Sequence, residues 1–260
     1  MVMNRRAFSA TLVGGAATML LATRGTATPA SRRAPKARNI VLVHGLFADG
    51  SCWNDVITLL QAKGLNVTSV QNPLTTLPQS VAAAERVLNR QDGPTVLVGH
   101  SFGGMIVTQA GMHQNVSALV YVAARAPDAN EDFATLAKTY PTPAASAGIV
   151  YDGEEGRLTE EAFLRDFAGD VPEARGKLLY STQYPFQKTL LAGVVTDAAW
   201  RSKPVYYAVS AEDRTINPEL QRYLAERMGA KTVELPASHL SIISHPREVS
   251  ELILEAAGHG

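Results

Sequence analysis

The sequence predicts an α/β protein with a mostly parallel central sheet, helices on both faces and one helical insertion. Three observations point there. Between residues 39 and 124, short β-branched runs alternate with longer helical patterns. The first of these runs, NIVLVH at 39–44, is apolar almost throughout, as a parallel strand covered on both faces must be. The rotation stops near residue 125 and resumes at 203.

Taken in order, strand 39–44 is followed by a helix over 52–63, with Trp53, Val56, Ile57, Leu59 and Leu60 on its apolar face and Gly64 as its stop. NVTSVQ at 66–71 is the second strand, and 79–91 the second helix, with Val81, Ala84, Val87 and Leu88 along one side. TVLVGH at 95–100, the helix at 101–113 and the strand VSALVYVAA at 116–124 complete the first half. Strict alternation of this kind means right-handed crossovers and a parallel sheet. From about 125 to 202, five prolines and short amphipathic pieces such as EEAFLRDFAGD predict an irregular, mostly helical cap. A strand at 203–210, a helix opened by Asn217 and Pro218, a strand at 231–236 and a last helix from Pro246 to about Ala257 restore the pattern.

The first thirty residues differ in kind. Arg5 and Arg6 precede an apolar stretch from about Phe8 to Ala22, and small residues then offer cleavage after Ala27 or Ala30. That order is expected of a twin-arginine signal peptide over 1–30, with the export machinery as partner and a periplasmic or secreted destination. The apolar stretch is too short and too rich in Gly and Ala to span a membrane, so no stable span is expected in the mature form. The catalytic domain is then expected over 38–260.

Composition narrows the function. Lys plus Arg number 24 and Asp plus Glu number 24, so no net field attracts nucleic acid. Cys52 is the single cysteine, which leaves no thiolate metal cluster or redox pair, and no metal or other cofactor is expected. The first strand–helix turn, HGLFADG, lacks the glycine spacing of a dinucleotide site.

GHSFGG at 99–104 carries the chemistry. A strand ends at His100 and a helix begins within a residue of it, so the chain reverses sharply at Ser101 and crowds the positions two before and two after. Gly99 and Gly103 occupy them. Such a turn exposes a serine hydroxyl at the C-terminal edge of a parallel sheet, in front of a helix N-terminus. A serine needs a base, and the base needs an orienting group. His239, three residues after the strand that ends at Pro236, is the candidate base; His245, before the last helix, is the alternative. His100 reads as a packed spacer. Asp213, in the loop after strand 203–210, is the candidate acid, with Glu212 as the alternative. Backbone N–H groups of Phe102 and Leu46 are the expected oxyanion donors, with Phe47 the alternative to Leu46.

These motifs resemble the α/β-hydrolase superfamily over residues 38–258. HGLFADGSCW at 44–53 is similar to the plant methylesterase and hydroxynitrile lyase branch and its bacterial esterase relatives. The resemblance implies an α/β-hydrolase fold, a Ser101–Asp213–His239 triad, a helical cap and hydrolysis of small-molecule esters. It also implies a rival, because lyases of that branch carry threonine at Gly45 and lysine at Leu240 to handle cyanohydrin and cyanide. Both are absent here, which favours ester hydrolysis over lyase or other cofactor-free chemistry. A binding protein that keeps the pocket without turnover is the third reading. The family aspartate before the histidine is Ser238 in this chain.

Overall fold

The computed structural model describes residues 36–260, and the leader expected over 1–30 lies outside the described residues. The alternation of the first half folds as β1 (Asn39–Val43), α1 (Asn54–Gln61), β2 (Asn66–Val70), α2 (Leu77–Leu88), β3 (Thr95–His100), α3 (Gly103–Ala110) and β4 (Val116–Val122). Every residue of β1 and of β3 is buried, which is why both read as unbroken apolar runs rather than alternating ones. The helix expected from residue 52 divides in two. Asp49 caps a 3-10 turn, Gly50–Trp53, and α1 follows from Asn54.

The insertion is mostly helical, as expected, and adds a small sheet that the sequence reading did not include. It contains α4 (Phe133–Ala137), β5 (Ile149–Asp152), β6 (Glu155–Leu158), α5 (Glu160–Ala162), a π-helical turn over Phe163–Phe167, α6 (Glu173–Ser181), β7 (Phe186–Gln187) and α7 (Lys188–Leu191). The three strands form a small antiparallel sheet in the order β5-β6-β7. Its hairpin turns at Gly153, which has φ +58°, a conformation that glycine adopts without a steric penalty. Gly153 takes the first position of the two-residue loop Gly153-Glu154, where glycine is the favoured residue, and this hairpin is the element that a helical reading of the segment misses.

The chain then returns through β8 (Val205–Ser210), α8 (Pro218–Arg227), β9 (Lys231–Leu235), α9 (Ser241–Ser244) and α10 (Pro246–Ala256). The main sheet has the order β2-β1-β3-β4-β8-β9, and all five pairings are parallel. Helices α1 and α10 pack together, as do α2 and α3. Strand order reverses between β1 and β3. The loops leaving their carboxyl ends therefore diverge and open a crevice, the place where ligands bind in open α/β sheets. Gly45 and Leu46 follow β1, and Ser101 follows β3, so the sequence places its candidate oxyanion loop and nucleophile on the two sides of that crevice. Among the described residues, no helix is long and apolar enough to cross a membrane.

Candidate active site

Ser101 has φ +55°, in the left-handed region that costs a non-glycine residue about 1–2 kcal/mol. The surroundings enforce it. A Cβ on Gly99 would stand 2.8 Å from the backbone of Gly103, and one on Gly103 would stand 2.5 Å from the Val43 carbonyl oxygen. Both glycines are thus required by close approach, as the sharp turn predicts. The Ser101 N–H donates to Val122 O at 3.1 Å, and its carbonyl accepts from Gly104 and Arg125, so the strained residue is held from three sides.

The candidate acid and the candidate base are brought together. His239 Nδ1 lies 2.7 Å from Asp213 Oδ2, and both side chains are fully buried. Asp213 also accepts from the backbone N–H groups of Thr215 and Ile216 through Oδ1, at 2.7 and 3.0 Å. These bonds keep it an acceptor, so Nδ1 carries the proton and Nε2 is left as the basic lone pair. Nε2 is buried and has no partner among the described residues. Ser101 makes no hydrogen bond to it. The two are linked through His100, the residue before Ser101, whose ring centroid is 4.7 Å from that of His239.

The alternatives are not brought together. Glu212 is exposed, and His245 Nδ1 contacts Ser244 Oγ at 3.0 Å and stands 3.9 Å from Asp170. On the oxyanion side, Leu46, Phe47 and Ser101 line one cavity. No described residue accepts a hydrogen bond from the N–H of Leu46, Phe47 or Phe102. Phe47 has φ +61°, a second strained position beside the first. Its ring packs edge-on against Phe167 and Phe186 of the insertion, at 5.7 and 5.5 Å. Gly45 completes the contact between the loops, since a Cβ there would stand 2.6 Å from Ser101 Cβ.

Three residues to which the sequence assigned no role in the site, His100, Gln221 and Ser238, hold this arrangement. His100 is more than a spacer: its Nε2–H donates to the His239 carbonyl at 2.9 Å. Burial, followed by the neighbouring His239, holds its pKa well below the ordinary value and keeps it neutral. Gln221 Nε2 donates to Asp213 Oδ2 at 2.7 Å. Ser238 Oγ donates to Asp170 of the insertion. The insertion is also tied to the acid loop, because Arg214 Nε donates to the buried Asp166 at 2.6 Å. Cys52 is buried, and burial pushes its thiol pKa up, away from nucleophilic use. Among the described residues, no cluster of His, Cys, Asp or Glu converges to hold a metal.

A strained serine at the switch point of a parallel sheet places the chain in the class of α/β proteins built around a nucleophile elbow. Comparison carries this to a family: the alpha/beta hydrolase family model matches residues 40–252, and the chain belongs to that family. It is 26% identical over 250 residues to a pyrethroid hydrolase of Sphingobium wenxiniae, across 84% of this chain and 87% of that protein. It is 28% identical to salicylic acid-binding protein 2 of Nicotiana tabacum, across 85% of this chain and 98% of that one. The crystal structure of a pyrethroid hydrolase superposes with a TM-score of 0.75 at 22% identity, covering 85% of this chain and 98% of the other.

Proposed function

We propose that this chain is a serine hydrolase of small-molecule carboxylic esters. The observation that carries the reading is the buried Asp213–His239 pair with an unpartnered Nε2, packed against the residue that precedes a strained Ser101. In this reading, Ser101 Oγ attacks the ester carbonyl as Nε2 of His239 takes its proton. Charge builds on the carbonyl oxygen, and the N–H groups of Phe102 and Leu46 receive it; each such donor is worth about 10²- to 10³-fold in rate. The imidazolium returns the proton to the departing alcohol, and water resolves the acyl-enzyme by the same route. Asp213 holds the ring and stabilises its charge throughout.

The relatives support this class, since they include a methylesterase of Arabidopsis thaliana and an esterase of Oryza sativa. The lyase alternative finds no support in the site. Gly45 has no room for a side chain against Ser101, and Leu240 is buried against a second cavity that Ser101 does not line. The leader over 1–30 supports export by the twin-arginine route.

Intact mass after fluorophosphonate treatment, with Ser101→Ala beside it, tests the reading. One adduct is expected on the wild type and none on the variant, together with loss of at least about 10³-fold in kcat for a 4-nitrophenyl ester. A variant that keeps its adduct, or hydrolyses esters at the wild-type rate, would refute it. Taken on periplasmic protein, the same mass reads whether cleavage falls after Ala27 or Ala30.

A further inference from the structure

Arg125 follows β4 on the edge of the sheet that carries Ser101, and its backbone is fixed from both sides. Its N–H donates to the Ser101 carbonyl at 3.0 Å. The residue before it is clamped by the buried Tyr207, whose hydroxyl donates to Ala124 O at 2.5 Å and accepts from Ala124 N at 3.0 Å. The guanidinium lies over the rings of Phe102 and Phe133, at 5.4 and 5.6 Å from their centroids. No described residue accepts a hydrogen bond from it or pairs with its charge. Every other arginine among the described residues is either paired with a carboxylate or exposed.

A guanidinium has five N–H donors, and holding it half-buried over two rings with no protein acceptor costs part of its hydration. Desolvation lowers the Arg125 pKa to about 10, which leaves it cationic at neutral pH. The residue is half-buried, and the cavity of the site is one of the surfaces it meets. Arg125 lines the same cavity as Ser101, Leu46 and Phe47, a space of about 80 Å³ in which it is the single charged residue. The remaining polar side chains there are the hydroxyls of Ser101, Ser146 and Thr215. One fixed cation among apolar walls matches one negative charge, and a planar carboxylate fits the guanidinium fork in bidentate fashion. A phosphate dianion would need a second cation, which this cavity lacks.

We propose that Arg125 binds a carboxylate of the substrate, so that this enzyme acts on esters bearing a free carboxylate close to the scissile bond. The proposal rests on the esterase reading of the same cavity and adds the substrate class. The carboxylate could sit on the acyl side or on the alcohol side of the ester, and two substrate pairs separate these. For the acyl side, 4-nitrophenyl hydrogen glutarate is compared with 4-nitrophenyl butyrate. For the alcohol side, 4-butyryloxybenzoate is compared with its methyl ester.

In the wild type, at least one anionic ester is expected to exceed its neutral partner about tenfold or more in kcat/KM. That ratio should fall at least tenfold in Arg125→Met and recover in part in Arg125→Lys. Wild-type ratios at or below one in both pairs overturn the proposal, whether or not the variants fold. A wild-type preference that persists in a folded Arg125→Met does the same. Calorimetric binding of glutarate to the wild type and to Arg125→Met needs no turnover. Binding that weakens at least tenfold in the variant supports the anion site even if Ser101 takes up no fluorophosphonate, a result that would refute the esterase reading alone. Equal binding by the two proteins, or none by either, counts against the site.

Discussion

Asp213 uses each of its acceptor positions: Oδ1 takes the N–H groups of Thr215 and Ile216, and Oδ2 takes Gln221 and His239. A carboxylate held at four points cannot swing, so the imidazole it orients keeps one tautomer and one plane. Gln221 is itself fixed at its far end, where Oε1 accepts from the Ser210 N–H at 3.0 Å. Through Asp213 it fixes the His239 ring, and in the proposed hydrolase it is a positioning residue. Replacing it by leucine strips one donor from Asp213 and leaves the Ser210 N–H buried without its acceptor, a cost of about 1–3 kcal/mol in stability. In Gln221→Leu, kcat should fall about tenfold or more while KM stays within about twofold, because the residue does not line the cavity. Steady-state kinetics at a temperature where the variant is fully folded decide this. A KM effect with kcat unchanged would mean that Gln221 shapes binding rather than the base.

At the level of elements, the site depends on how closely α3 approaches β1. Gly103 opens that helix with its Cα against the Val43 and His44 carbonyls, and an added Cβ would stand 2.5 and 2.9 Å from their oxygens. Backbone cannot yield as a flexible side chain can. Gly103→Ala should therefore cost about 1–3 kcal/mol and lower Tm by roughly 2–12 °C for a chain of this size. Thermal denaturation checks it, and an unchanged Tm would show that α3 has slack. This packing was legible in the sequence, because the glycine spacing and the sharp turn between 95–100 and the next helix dictate it. The main-sheet strands were legible for the same reason: burial on both faces writes a continuous apolar run, and β3 matches its expected range in full. The small sheet of the insertion was not, because β5, β6 and β7 are short strands exposed on one side, and their apolar content resembles that of amphipathic helix fragments. Nor were the roles of His100 and Gln221, whose partners come from distant segments. No local spacing encodes such contacts, whereas Ser101, Asp213 and His239 each sit at the end of a strand, where topology brings them together.

Across the whole molecule, two histidines at the carboxyl end of the main sheet are buried and held uncharged, and this ties stability to pH. His44 directly follows β1 and is 1% exposed; its Nδ1–H donates to Gly45 O at 2.9 Å, and Nε2 accepts from Asn72. His100 lies at the corresponding end of β3. Burial lowers the pKa of both, and that of His100 well below the ordinary value. In the unfolded chain both titrate near 6.5, so above that pH neither state carries the proton and the two histidines leave stability unchanged. As pH falls below 6.5, the unfolded chain takes up protons that the folded one refuses. Stability then declines by about 1.4 kcal/mol per pH unit for each histidine until the folded pKa is reached. Carboxylates held by ion pairs, such as Asp166, act in the opposite range, losing their contribution only as pH falls below about 4. The interval from pH 7.5 to 5.5 therefore isolates the histidines, and His100 alone should account for about 1.4 kcal/mol across it. His100→Gln retains an N–H donor for the His239 carbonyl and cannot take up a proton. Urea denaturation of the folded core at both pH values should show the wild type losing stability on acidification, and the variant losing about 1.4 kcal/mol less. Equal losses in the two proteins would mean that His100 is protonated within the fold, and that the ring packed on His239 is a cation rather than a neutral support.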